Sequence, residues 1–318
     1  MMIFNTLIKV ANEQTKKMAL LPLVFLFFSC KNEPVAYQDN ECKAQPSFIK
    51  NMGYNPARSA FSTSEKKTKG LVLLQINATG DTTGGGRKLY QHNTWASAGW
   101  LGPLQIDPNG NLFVGPVPVI NLLDNPPSKQ NIIYKVDAAT GIMNPFVQLP
   151  LAIDSNSNLA NPYGILGFAY LCQSNTLYAS TVQGSTRQQE NGVLYAIATS
   201  SAQIIDKVKH TDILGMGISY ISGSRRLYYG SARNSNVYSI ELAENGKFGG
   251  KPIFEFSIAN LGPRGDDKVR RIKFNKATGQ MNLYGLEFNF NLTAPTEKQE
   301  TIYNFNYDAE QNKWIYAN

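Results

Sequence analysis

Histidine and cysteine are scarce, with two and three copies in 318 residues. No His-x-x-x-His or paired-cysteine spacing occurs, so the pattern of a zinc centre is missing, and neither His92 nor His210 stands beside a nucleophile motif. Three cysteines also exclude a disulfide-dense scaffold. Charge is thin, at 17% of residues, and the excess of 30 Lys and Arg over 23 Asp and Glu forms no basic run interleaved with aromatics. That argues against nucleic acid as a partner. The apolar block near the start, Met18 to Ser29, is too short to span a bilayer. What the chain has is 42% hydrophobic and 11% aromatic residues with 26 Gly and 16 Pro. Such a composition suits short strands joined by turns.

Lys16 and Lys17 precede that apolar block, and Ser29 ends it. A basic region, a short apolar core and a small residue make a secretory signal. The segment Leu26-Phe27-Phe28-Ser29-Cys30 resembles a relaxed bacterial lipobox, with Phe28 where a small residue is usual. The resemblance implies a lipidated Cys30 as the first mature residue and membrane attachment through its acyl chains. Lys31-Asn32-Glu33 resembles the signal that sends some lipoproteins to the cell surface, so an outer-membrane or cell-surface location is expected. The domain layout read from the sequence is a signal peptide over 1–29, a lipidated tether over 30–55 and a folded domain over 56–318. Cys42 and Cys172 remain, and an oxidising compartment permits them to pair. The alternative is two separate thiols. Removing the leader leaves 27 basic against 22 acidic residues, a modest attraction to anionic lipid or polysaccharide.

From about residue 55 the chain repeats itself. Leu112-Phe113, Leu177-Tyr178, Leu227-Tyr228 and Leu283-Tyr284 recur, each followed by a second aromatic strand such as Ile133-Tyr134-Lys135-Val136 or Val237-Tyr238-Ser239-Ile240. Turn chemistry repeats too, in Asp137-Ala-Ala-Thr-Gly141, Asn275-Lys-Ala-Thr-Gly279 and Asp107-Pro-Asn-Gly110. Self-similarity at this period predicts an all-β fold, a β-propeller of five blades. A sixth blade arises if Ser47 to Tyr54 forms a strand that joins the C-terminus. A sandwich of similar strands is the competing architecture. The repeat length and strand pattern are similar to the broad propeller superfamily that includes NHL-repeat, gluconolactonase-type and TolB-like proteins. The resemblance covers residues 57 to 318 and implies fold, not activity.

In a propeller, the loops that enter the inner strands and those that join second to third strands share one face, at the mouth of the channel. The loops predicted there carry Trp95, Trp100, Tyr163, Arg187, Glu190, Asp212, Arg264, Asp266 and Asp267, with Arg270 or Arg271, but not both, facing the channel. Aromatic faces, amides and both charges suit a carbohydrate, a peptide or a partner protein. Internal packing of a tryptophan, and an internal ion-pair set around Arg264, Asp266 and Asp267, are the structural alternatives. The functional expectation is a lipid-anchored, monomeric binding or scaffold module outside the cytoplasm. Its rival is a lactonase-like or glycosidase-like hydrolase using metal or paired carboxylates. No cofactor or metal is expected, calcium entering only with the hydrolase reading. Asp81-Thr82-Thr83 resembles an O-glycosylation acceptor, with a plain hairpin loop as the alternative.

Overall fold

A computed structural model describes residues 44–65, 67–76, 88–117, 124–150, 164–221, 223–289, 294–295 and 299–317. All the described residues belong to one compact unit within Val35–Asn318, and Met1–Pro34 lies outside the described residues. Cys30, Lys31 to Glu33, Cys42, Asp81 to Thr83 and Tyr163 also lie outside them.

The fold is all-β, a propeller of five blades. The first blade contains β1 (Ser59–Ser62), β2 (Val72–Gln75) and β3 (Lys88–Tyr90). The second contains β4 (Leu101–Ile106), β5 (Leu112–Pro116), β6 (Ile132–Val136) and β7 (Met143–Gln148). The third contains β8 (Ile165–Leu171), β9 (Thr176–Thr181), β10 (Val193–Ala198) and β11 (Gln203–Lys209). The fourth contains β12 (Ile213–Ile221), β13 (Ser224–Ser231), β14 (Asn236–Glu241) and β15 (Ile253–Ser257). In the fifth, β16 (Lys268–Phe274) and β17 (Met281–Leu286) are followed by the two-residue hairpin β18 (Phe288–Asn289) and β19 (Ala294–Pro295). The blade then finishes with β20 (Thr301–Asp308) and β21 (Lys313–Ala317). All neighbouring strands pair antiparallel.

The repeated turns fold as their residues dictate. Asp137 Oδ1 accepts from the amides of Ala139 (3.0 Å) and Thr140 (2.9 Å), while the Gly141 amide donates back to the Asp137 carbonyl at 2.9 Å. Gly141 stands at φ +73°, which costs glycine little. Asn275 and Gly279 repeat the arrangement, and Asp107 with Gly110 shortens it.

The core consists of layers between successive blades. Leu73, Leu101, Leu112 and Trp95 pack between the first and second. Phe113, Ile133, Ile165 and Tyr170 pack between the second and third. Leu171, Tyr178, Met216 and Leu227 follow, and then Tyr228, Val237, Ile272 and Leu283. This is why one sheet could not stand alone: its apolar faces are buried only by its neighbours. Inner strands approach closely, since a Cβ on Gly215 would lie 2.2 Å from the Arg270 carbonyl oxygen. Only glycine fits there.

Two expectations need correction. Ser47 to Tyr54 contributes no strand to a sixth blade, because Ser47–Asn51 is a short helix, α1, whose Phe48 and Ile49 are buried against Trp95 and Leu73. Those two residues, placed in the tether by the sequence reading, pack into the core, and among the described strands β21 pairs with β20 alone. Among the described residues, the fifth blade buries one face. Ile272, Leu283, Tyr303 and Phe305 line the covered side, whereas Ile302 (54% exposed), Ile315 (39%) and Arg271 stand on the other.

Candidate functional site at the head of the inner strands

The first strand of each four-stranded blade, β4, β8, β12 and β16, packs against the corresponding strand of the next. All four break register with their hairpin partner near their first residue. The breaks fall between Leu101 and Leu104, Ile165 and Gly167, Ile213 and Gly215, and Val269 and Arg271. A bulge leaves its extra residue out of the ladder and re-aims the side chain. The re-aimed positions are Gly102 and Pro103, Leu166, Leu214 and Arg270. They are equivalent from blade to blade, so they gather at one end of the propeller.

Leu214 packs with Ala232, Leu286 and Phe288, and Leu166 lies against that cluster. Three blades therefore contribute one buried apolar cluster beside the bulge positions. The fifth blade departs from this pattern by carrying Arg270 where its two predecessors carry leucine. Arg270 is exposed and makes no hydrogen bond or ion pair among the described residues. Protein nonetheless crowds it: desolvation pulls its pKa below the usual arginine value, with Glu300 opposing and Arg271 reinforcing. A guanidinium remains charged throughout the physiological range. Arg271 stays in the ladder, opposite Tyr284. Its guanidinium binds Glu300 and lies 4.5 Å from the Tyr284 ring centre.

Most polar residues expected at the mouth are used inside the protein. Asp212, 1% exposed, accepts at Oδ1 from Ser185 Oγ (2.5 Å) and the Gly192 amide (3.0 Å), and at Oδ2 from Arg233 Nε (2.6 Å). Arg233 Nη2 donates to the carbonyls of Thr186 and Gln189 at 2.7 Å each, and Nη1 to that of Arg187 at 3.2 Å. The group clasps a third-blade loop to the fourth blade. Glu190 Oε1 accepts the Asp212 amide at 2.6 Å, and its backbone oxygen lies 3.1 Å from His210 Nδ1. Burial raises the pKa of Asp212 above the usual aspartate value against the pull of Ser185 and Arg233, and it raises that of Glu190 as well.

The fifth blade has its own clasp. Arg264 grips Asp267 bidentately, Nε to Oδ1 at 2.5 Å and Nη2 to Oδ2 at 2.8 Å, and also donates to Thr301 Oγ1 (2.8 Å) and the Gln299 carbonyl (3.0 Å). Tyr303 Oη donates to Asp267 Oδ2 at 2.8 Å. Burial pushes the Asp267 carboxyl up, but the bonds from Arg264 and Tyr303 together hold its pKa below the ordinary value. Asp266 stays exposed, 3.3 Å from Lys268 Nζ.

Trp95 offers no face to a ligand. It is wholly buried in α2 (Asn93–Ala96), donates from Nε1 to the Gly141 carbonyl at 2.8 Å, and packs edge-on with Phe48, Phe61 and Tyr90. Trp100 is half-buried at the head of β4, where its amide donates to Asn125 Oδ1 at 2.7 Å. Arg187 is exposed. Cys172, in the turn after β8, is disulfide-bonded, and its partner lies outside the described residues.

The sequence reading missed Pro103, Leu166, Leu214 and Phe288. A signal was available: Ile165-Leu166-Gly167 and Ile213-Leu214-Gly215 are the same tripeptide, and the corresponding start of the fifth blade is Val269-Arg270-Arg271. Among the described residues, no three His, Cys, Asp or Glu side chains stand together as metal ligands.

Neither a family model nor a curated protein sequence matches the chain. Among solved structures it is similar to a glucose dehydrogenase at 13% identity and a TM-score of 0.42, covering 76% of this chain and 78% of that one. It is also similar to Saccharomyces cerevisiae Sqt1, at 12% identity and a TM-score of 0.38, with coverages of 77% and 67%.

Proposed function

We propose that this chain is a lipid-anchored binding module held outside the cytoplasm, on the outer membrane or cell surface, and that its ligand enters where the four inner strands begin. The propeller fold supports a binding or scaffold role in general. The observation that carries the finer reading is the register break repeated in β4, β8, β12 and β16, which sets an exposed guanidinium above a buried apolar cluster at a single end. The hydrolase reading loses support because Asp212 and Asp267 are held by guanidinium groups and internal donors, while Glu190 caps the Asp212 amide. Carboxylates so engaged are poorly placed to hold a metal or activate water.

Two experiments test the reading. Thermal shift of the soluble domain against glycans, peptides, alkyl acids and divalent cations should favour an organic ligand. A stabilisation by calcium alone, with turnover of a lactone, would replace binding by hydrolysis. The anchor rests on the sequence around Cys30. Wild-type protein should partition into detergent and take up labelled palmitate, and Cys30→Ala should do neither. Equal partitioning of the two would remove the lipid anchor.

A further inference from the structure

We infer a second ligand site, in the cleft between the fourth and fifth blades at the end away from the inner-strand heads, and we assign its ligand as a uronate, a sugar that carries one carboxylate. A cavity of about 330 Å³ opens there, bounded in part by Arg226, Tyr228, Ile253 and Glu255 of the fourth blade and by Tyr307 and Lys313 of the fifth. These residues lie where β12 and β20 end and where β13, β15 and β21 begin, so the cavity is separate from the site at Arg270. Its lining is reachable from solvent: Ile253 is 51% exposed, Lys313 is exposed, and the side chains of Arg226 and Glu255 are only partly covered.

The two opposite charges of the fourth blade do not satisfy each other. Arg226 Nη1 donates to Ser239 Oγ at 2.6 Å, and Ser239 Oγ in turn donates to Glu255 Oε1. The direct approach of Arg226 to Glu255 is 3.8 Å, too long for a hydrogen bond. Among the described residues no acceptor takes Arg226 Nε or Nη2, and no donor reaches Glu255 Oε2. Lys313 adds a second cation from the facing blade. Asp308, its cross-strand neighbour, spends its oxygens on the Glu310 and Gln311 amides and the Gln311 side chain.

The floor adds a further unmet demand. Tyr228 is 2% exposed, and the ring of Trp314 meets it edge-on with centres 5.7 Å apart. Burial raises the Tyr228 pKa and Glu255 adds to this, with the Trp314 indole opposing, so the hydroxyl remains a neutral donor. Trp314 Nε1, itself buried, has no acceptor in hydrogen-bonding geometry among the described residues. A ligand oxygen that accepts the Tyr228 proton would turn the phenol's lone pairs toward that indole.

The ligand must therefore bring an anionic acceptor for Arg226 and Lys313 together with a hydroxyl that can donate to Glu255. A uronate has both. A simple alkyl acid leaves Glu255 unmet, and a neutral sugar leaves the cations unmet, each at the cost of uncompensated desolvation. Two cations against one carboxylate favour a single negative charge over a phosphate dianion. The C–H face of the sugar ring has Ile253 and the Tyr307 ring to lie against. The volume sits at the small end for ligand pockets, as a short sugar requires.

Calorimetric titration of the full-length protein in detergent would use glucuronate, its methyl ester, glucose 6-phosphate and propionate as probes, with thermal melts confirming that each variant is folded. Wild type should bind glucuronate at least fivefold more tightly than any of the other three. Arg226→Gln should weaken glucuronate at least tenfold, and Lys313→Gln and Glu255→Gln should each weaken it severalfold. Arg270→Gln, at the opposite end, should leave it unchanged. Because Lys313 is exposed, its variant decides the matter if Arg226→Gln does not fold. Equal binding of the methyl ester or of propionate would overturn the paired demand for a charge and a hydroxyl, and tighter binding of glucose 6-phosphate would overturn the carboxylate. If Lys313→Gln and Glu255→Gln bind like wild type, or if Arg270→Gln alone abolishes binding, the cleft is not the site. If no probe binds folded wild type the inference fails, while the reading of the inner-strand heads stands or falls on its own thermal-shift test.

Discussion

Asp212 and Asp267 do similar work in neighbouring blades and should respond to pH in opposite directions. Asp267 has a lowered pKa in the folded protein. The unfolded state then binds more protons at acid pH, so the stability it contributes is full above the ordinary aspartate value and is lost as pH falls through the lowered one. Asp212 has a raised pKa. Between the ordinary and raised values the folded state takes up the proton first, so stability gains as pH falls through that window. Urea titrations from pH 7 to pH 3 on wild type, Asp267→Asn and Asp212→Asn should therefore diverge. The deficit of Asp267→Asn should be about 3–5 kcal/mol at neutral pH, the scale for breaking a buried pair, and should shrink with acid. That of Asp212→Asn should grow over the window above the ordinary aspartate value. Parallel deficits in the two variants would show that the clasps do not differ electrostatically.

At this scale the sequence was legible where chemistry is local. Asp137 and Asn275 open their turns through bonds to amides two and three residues on, so spacing alone revealed them. Trp95 was not legible, because a tryptophan in a loop between strands reads the same whether it meets solvent or Phe48 from a helix far earlier in the chain. Arg264 and Asp267 lie three residues apart, and the choice between an internal pair and a ligand site depended on Tyr303 and Thr301, supplied by a distant strand.

Elements show how strongly packing depends on face. Leu283 and Tyr284 are consecutive in β17, yet Leu283 is fully buried while Tyr284 shares the exposed side with Ile302. Leu283→Ala should cost about 2–5 kcal/mol in urea unfolding. Ile302→Asn, on the exposed face, should stay within about 0.5 kcal/mol. Comparable losses would mean that something covers that face in solution. Strands of the fourth and fifth blades were readable in the sequence, because their hydrophobic positions recur with aromatic partners. The first blade was harder: Leu71 to Leu74 are all buried, so alternation gives no face. Helix α1 was hidden for a related reason, as five residues are too few to show a helical period.

For the molecule as a whole, stability is the sum of neighbour-to-neighbour layers rather than of one central core. The third blade lies between the Phe113–Tyr170 layer and the Leu171–Leu227 layer, and the fourth between the Leu171–Leu227 layer and the Tyr228–Leu283 layer. The fifth has one. Native-state hydrogen exchange should accordingly release the amides of β20 and β21 at lower free energy than those of β9 and β13. Uniform protection across the blades would show that the domain opens only as a unit. The circular repeat was legible because it is written several times over, whereas the site was not, since it depends on where the repeats differ.

The uncovered side of the last blade has a mechanical corollary. A pull applied to the carboxyl end would peel β21 and then β20 away across a single seam, whereas a pull at the third blade must open a pair of seams at once. Anything fused behind β21 therefore draws on a joint with a single described seam, and a tag or cargo is better carried on a loop of the interior blades.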